Sequence, residues 1–340
     1  MRPVATLADV ARRAGVSTAT ASRIINNSPK PVTEELRARV LAAVAELRFV
    51  PNAHAQQLAR ADRTAVGVIV HDVSDPYFAE ITRGLQRVAT DHGRLVIICN
   101  SYRDPERELA YVELLHAHQA AAIVLAGSGY HDAAVTARLR ARLRTYEATG
   151  GRVAVIGRHE HAGHAIVPQN EHGGYLAGDA LYGLGHTAIG VIAGPRQLTT
   201  TTDRLAGLRR AARDHGRRIT ARHVVHADFD RDGGARAAAE LLDRVPAITA
   251  IAALNDSMAI GALSCLRERG VDVPGEVSLI GFDDMPISVD VTPALSTIRL
   301  PLVDLGARAM SLALADSEDP VVEEAAATLV LRASTAARPY

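Results

Sequence analysis

The sequence is poor in several things that would point to other chemistry. Only two cysteines occur, Cys99 and Cys265, both in apolar surroundings; they read as reduced core residues rather than a disulfide. Lys30 is the only lysine, which excludes a Walker phosphate loop and a core lysine acting as Schiff base or general base. No apolar run reaches the roughly eighteen residues of a membrane helix, and the opening "MRPVATLADVARRAG" lacks the apolar centre of a signal peptide. The expected location is therefore the cytoplasm, with no membrane partner. No G-x-G-x-x-G, G-x-S-x-G or H-E-x-x-H motif occurs, "GSG" at 127–129 is too short to count, and no pair of acids has a recognisable catalytic spacing. These absences reject an enzyme on an α/β scaffold, and no cofactor is expected.

Net charge is also missing, but only in sum. Residues 1–63 hold ten basic and five acidic residues, which leaves them at +5 and the remainder at −5. A small basic module on a mildly acidic body suggests a polyanion partner at one end. Apolar residues make up 48% of the chain, enough for a folded protein with a full core.

The first 50 residues carry three helical patterns and no strand. Thr6 and Asp9 have capping-box spacing, Leu7, Val10, Ala11 and Ala14 form one apolar face, and Gly15 stops the helix. Ser17 caps a second helix with Ala21, Ile24 and Ile25 inside. Thr33 caps a third, with Leu36, Val40, Val44 and Leu47 on its inner stripe. "PNAHAQQLARADRT" follows; residues 52–60 read as a two-turn helix capped by Asn52, too short to hold alone.

From residue 65 the texture changes to short apolar runs about thirty residues apart, with amphipathic helices such as Phe78 to Thr90 and Glu106 to His118 between them. "AVGVIV", "RLVIIC", "AAIVLA" and "RVAVIG" form one set; "AIGVIA", "RHVVH", "ITAIAAL" and "VSLIG" form a second. Continuous apolar strands alternating with helices imply parallel sheets covered on both faces, in two similar lobes.

Two short helices joined by "AGVS" make a helix-turn-helix, whose second helix enters the DNA major groove. Its small residues then have a use. Ser17 and Thr20 can bond phosphates, Thr18 and Ala19 can meet base edges or a thymine methyl, and Arg23 can fork to guanine.

"TLADVARRAGVSTATASRIINN" followed by "VTEELRARVLAAVAELRFVPNAHAQQLA" resembles the DNA-binding headpiece of the LacI/GalR family of bacterial transcription regulators. The resemblance runs on through "DPYFAEITRGLQ", "GHTAIGVIAG", "DRLAGL", "LNDSMAIGAL", "VPGEVSLIGFDD", "TPALSTIRLP" and "LVLRAST". It implies an all-α helix-turn-helix headpiece at 1–50, a hinge helix and linker at 51–63, and an α/β core at 64–340 of two doubly wound lobes, like periplasmic sugar-binding proteins. The first lobe is expected at about 64–165 and 296–323, the second at about 166–295 and 324–340. The resemblance also implies base reading by Thr18, Ala19 and Arg23, a minor-groove wedge at Leu58, and close approach of paired hinges at Ala55 and Ala59. Thr6, Ser17, Thr20, Ser22, Asn26, Asn52 and Gln56 complete the expected DNA-contacting set. A dimer on a near-palindromic operator follows. Ala19 departs from members with a long polar side chain there, which leaves the operator sequence open.

Ligands of doubly wound lobes bind at the carboxyl ends of the strands. Asp75 and Tyr77, Asn100 and Tyr102, Ser128, and Arg158 stand after the four runs of the first lobe. Thr200 and Arg204, Phe229, Asn255 and Asp283 stand after those of the second. Arg204, Asn255 and Asp283 match family positions that contact the effector, and Phe229 matches an aromatic that packs on it. Carboxylate, amide and guanidinium groups can bridge neighbouring hydroxyls beneath an aromatic face, which favours a sugar or sugar derivative. Gly157 replaces an acidic residue often found before Arg158.

"HEHAGH", with His159, His161 and His164, contains no cysteine and fits no standard zinc spacing, so an exposed loop is expected rather than a metal site. The alternative to a ligand-responsive repressor is a sugar-binding protein without a DNA role; the headpiece argues against it. Inducer and co-repressor action are both compatible with the sequence. No long apolar heptad follows "LRAST", so the expectation stops at a dimer.

Overall fold

The computed structural model describes residues 5–26, 31–50, 64–159, 163–317 and 319–338. The expected hinge contacts Asn52, Ala55, Gln56, Leu58 and Ala59, and His161, lie outside those residues. The chain divides into two compact units, Met1–Thr64 and Ala65–Tyr340.

In the first unit, α1 (Leu7–Ala14), α2 (Thr18–Ile25) and α3 (Glu34–Leu47) enclose a small core of Val10, Ala11, Ala14, Ala21, Ile24, Val40 and Ala43. Residues this small let the three helices pack closely, and the caps set their limits. Thr6 and Asp9 form the reciprocal capping box, and Ser17 and Thr33 each accept a backbone N–H of the first turn.

The second unit has two lobes. The first is a parallel sheet of β1 (Ala65–Val70), β2 (Leu95–Asn100), β3 (Ala122–Ala126), β4 (Arg152–Ile156), β5 (His164–Pro168) and a late edge strand, β11 (Val322–Ala325). Their spatial order is β11-β5-β4-β3-β1-β2. Alternate residues of β1 serve opposite faces. Val66, Val68 and Val70 join Phe78, Ile81 and Leu85 of α4 (Pro76–Asp91), whereas Ile69 joins Leu109 and Val112 of α5 (Pro105–Ala117) and Leu139 and Leu143 of α6 (Ala133–Ala148). The second lobe begins with α7 (Asn170–Gly183) and continues through β6 (Ile189–Ala193), α8 (Thr199–Asp214), β7 (Val224–His226), α9 (Arg231–Arg244), β8 (Ala250–Ala253), α10 (Asp256–Glu268) and β9 (Ser278–Ile280). Its sheet order is β7-β6-β8-β9. β10 (Thr297–Arg299) pairs antiparallel with β12 (Thr328–Val330), and α11 (Leu302–Leu314) lies between them in sequence. Cys99 and Cys265 are both buried and free.

Four strands per lobe holds for the second lobe and is corrected for the first, which has six. β5 starts inside "HEHAGH" and ends in a proline; β11 reads "VEEA" at a sheet edge. Neither has the long apolar run by which buried strands are recognised. The first-lobe sheet therefore extends to Pro168 and Ala325, and His164 is a buried strand residue rather than part of an exposed loop. Its Nδ1 accepts the N–H of Val321 at 3.2 Å.

Candidate nucleic-acid interface and ligand cleft

In the helical unit the turn between α1 and α2 is fixed from two sides. Gly15 has φ +63°, a conformation glycine adopts freely, and an added Cβ would stand 2.7 Å from Nη2 of Arg39. That nitrogen donates to the carbonyls of Ala14 at 2.5 Å and Gly15 at 3.4 Å, so α3 clamps the turn. With Ala21 and Ile24 held inside, α2 turns Ser17, Thr18, Ala19 and Arg23 to solvent. Arg23 Nε donates to the Ala19 carbonyl at 3.2 Å, and its Nη groups make no hydrogen bond among the described residues. The other expected contacts are engaged locally. Ser17 Oγ holds Thr20, Asn26 Nδ2 donates to Ser22 Oγ at 3.1 Å, and Thr6 belongs to the capping box. The Thr6 hydroxyl and N–H bonds hold the Asp9 carboxyl below its ordinary value.

In the second unit, both sheets reverse direction of winding between their first and third strands: β1 and β3 in one lobe, β6 and β8 in the other. Loops leaving those carboxyl ends diverge and open a cleft. It measures about 460 Å³ with its mouth, and its walls include His71, Asp75, Tyr77, Phe78, Arg103, Ser128, Asn170, Thr200, Arg204, Phe229, Asn255 and Asp283.

The floor is a buried polar network. Arg204, 3% exposed, donates from Nε to Asn170 at 2.8 Å, from Nη1 to the Leu254 carbonyl at 2.5 Å and from Nη2 to Asp283 at 2.8 Å, with its guanidinium 3.6 Å from the Phe282 ring centroid. Burial pushes the Asp283 carboxyl up, against the pull of Arg204. Asp283 has φ +109°, a strained position held from outside the cleft. Asp256 anchors that loop by accepting from Met285 N, Ser288 Oγ and Thr297 Oγ1 at 2.6–2.8 Å, and Asp284 pairs with Arg299 and Arg332. Phe229 seats against Gly194, where a Cβ would come within 2.2 Å of the ring. Asn255 Oδ1 caps α10 at 2.8 Å.

On the opposite wall Asp75 caps α4, its Oδ1 accepting from Tyr77 N at 3.1 Å. Burial raises its carboxyl above the ordinary value, with Tyr77 N–H and Arg103 pulling it back. Burial pushes the Tyr77 hydroxyl up and keeps it protonated. His71, wholly enclosed, is pushed down to about 3 by burial and is neutral. Side-chain contacts that tie the lobes beside the cleft include Ser128 Oγ to Thr200 Oγ1 at 2.6 Å, His131 Nε2 with Thr202 Oγ1 at 2.7 Å, and Arg158 to Asp203 at 2.5 Å.

The structure gathers Asp75, Tyr77, Ser128, Thr200, Arg204, Phe229, Asn255 and Asp283 at one cleft and leaves two expected residues outside its walls. Tyr102 is 58% exposed, its ring 5.5 Å from the Arg107 guanidinium. Tyr102 and Arg103 both have positive φ, +53° and +58°, and this tight turn brings Arg103 to the cleft instead. Arg158 is drawn off by Asp203 into a neighbouring recess with Tyr130, His131 and Arg140. Asn100 accepts from Val73 N at 3.1 Å and steadies the loop of Asp75. Sequence reasoning missed His71, Phe78, Arg103 and Asn170. His71 and Arg103 follow strand ends, so the rule that found their neighbours could have found them. Among the described residues, no His, Cys, Asp and Glu group is gathered for a metal ion, and no helix is long and apolar enough to cross a membrane.

Comparison with known proteins gives concordant results. Residues 6–52 match a family profile described as bacterial regulatory proteins, lacI family, and residues 63–323 match periplasmic binding proteins and the sugar binding domain of the LacI family. The chain is 38% identical over 323 residues to the HTH-type transcriptional regulator GalR of Escherichia coli K12, spanning 94% of this chain and 92% of that one. It is 33% identical over 342 residues to the repressor PurR of Pectobacterium carotovorum, spanning 99% and 98%. Among solved structures, the lac repressor dimer bound to operator and the anti-inducer ONPF superposes with a TM-score of 0.83 at 26% identity, covering 98% of this chain and all of that one.

Proposed function

The chain belongs to the LacI family of bacterial regulatory proteins, and from that premise we propose a dimeric repressor of a near-palindromic operator whose DNA occupancy is set by a sugar in the inter-lobe cleft. Membership makes it a DNA-binding transcription regulator with a small-molecule-binding core, not an enzyme. The observation that carries the operator reading is the α2 surface. Thr18, Ala19 and Arg23 lie side by side in solvent, with Nη donors that make no hydrogen bond among the described residues above short neighbours that permit close approach to base edges.

Two features support a dimer. β2 is an open sheet edge exposing Leu95, Ile97 and Ile98 at 65%, 37% and 42%, and the second lobe exposes Ile287 and Val289. An apolar edge strand left open invites pairing with another chain. The sugar reading is supported by acceptors, donors and the Phe229 ring converging on one space. A ligand there changes DNA occupancy only if it binds one lobe arrangement better than another; the Ser128, His131 and Arg158 ties are contacts whose making or breaking would distinguish the two.

The test is selection of genomic fragments by the purified protein, followed by footprinting and light scattering. The proposal expects inverted half-sites, a dimer mass and affinity that falls steeply with salt. A monomer on a single asymmetric site contradicts it.

A further inference from the structure

Among the described residues of the cleft wall, Arg103 is the cation held only loosely, in contrast to Arg204. Its guanidinium makes no hydrogen bond among the described residues, and its Nε is buried without a partner. The nearest acid is Asp75, whose Oδ2 stands 3.9 Å from Nη2, beyond hydrogen-bond reach. Among the described residues that oxygen accepts no hydrogen bond, since only Oδ1 serves the helix cap. Arg103 is 21% exposed and Asp75 11%, so neither has full hydration in exchange. The backbone holds Arg103 there through consecutive left-handed residues, a conformation costly for non-glycine side chains. Across the cleft, its guanidinium carbon is 5.7 Å from the Phe229 ring centroid.

A hydroxyl placed between Arg103 and Asp75 would accept from the first and donate to the second, completing both. An anion at Arg103 would instead face the Asp75 carboxylate a few ångströms away. The charged side chains on the described walls balance: Asp75 and Asp283 against Arg103 and Arg204, with Arg204 already committed to Asp283. We infer that Arg103 and Asp75 together read one hydroxyl of an uncharged sugar, and that this pair makes the cleft discriminate against sugar acids and sugar phosphates. The inference rests on the sugar reading above and narrows it to neutral sugars. The ring of the bound sugar then lies toward Phe229, which covers its apolar face.

Isothermal titration calorimetry with neutral hexoses, their uronic acids and their 6-phosphates tests this on the wild-type protein, Arg103→Met and Arg103→Lys. The expected result is a neutral sugar that binds the wild type at least about tenfold more tightly than its acid or phosphate, because those forms bring a like charge to Asp75. Arg103→Met should weaken the neutral sugar by roughly 10–100-fold, the effect of removing a charged hydrogen-bond donor. Arg103→Lys should recover part of that loss, keeping the charge without the planar fork. Unchanged affinity in Arg103→Met, or a wild-type preference for the acid or phosphate, overturns the inference and leaves the sugar reading standing. If no sugar of any charge binds the wild type, the sugar reading fails and the inference falls with it.

Discussion

Glu108 lies on α5 at 3% exposure, with Oε1 buried and unpartnered and no hydrogen bond or ion pair to its side chain among the described residues. Burial alone pushes its carboxyl to about 7 from 4.5. Below pH 4.5 the folded and unfolded chains both hold the proton, and the ionisation leaves stability unchanged. Between 4.5 and about 7 the unfolded chain releases it while the folded chain keeps it, so stability falls as pH rises. Above 7 the loss is complete. At ~1.4 kcal/mol per pH unit, the interval corresponds to about 3 kcal/mol. Glu108→Met keeps the length and removes the ionisable group. Urea unfolding followed by circular dichroism at pH 5, 6, 7 and 8 should show the variant gaining on the wild type with each step, by roughly 2–3 kcal/mol in total. A variant-minus-wild-type difference that is flat across this range would refute the reasoning.

Arg204→Met leaves Asp283 buried without its counterion and should cost about 3–5 kcal/mol; pairing it with Asp283→Leu should be less damaging than the single change, and a double variant whose loss equals the sum of the two singles would contradict a coupled pair. Gly194→Val drives a side chain into the Phe229 ring, so ligand affinity measured by calorimetry should collapse while the far-ultraviolet spectrum stays native; retained affinity would show that Phe229 is not a wall of the ligand site. Arg23→Ala should relax sequence preference in competition binding without lowering the melting temperature of the helical unit. Undiminished discrimination between operator and random DNA would show that Arg23 is not a reader.

Helix limits were legible because local chemistry sets them: Thr6, Ser17 and Thr33 cap where their side chains can reach, and Gly15 takes a conformation that other residues resist. The apolar strands of both lobes were legible by the same local logic. β11 was not, since "VEEA" becomes a strand only because β5 offers a free edge roughly 150 residues earlier in the chain. Most cleft residues at strand ends, from Asp75 to Asp283, were found by the strand-end rule, whereas His71, directly after β1, was passed over. Tyr102 and Arg103 exchange roles because of two left-handed backbone positions, which side-chain type does not announce. Arg158 escaped because its partner, Asp203, belongs to the other lobe. Both failures come from tertiary context acting on correctly placed loops.

The central claim is that one small molecule in the cleft controls DNA occupancy by the helix-turn-helix. Fluorescence anisotropy of the purified protein on the DNA upstream of its own gene, titrated with neutral sugars, tests it most directly. The account predicts tight, salt-sensitive binding that one sugar either abolishes or creates, with the response lost in Gly194→Val. Specific binding indifferent to every sugar that occupies the cleft would contradict it.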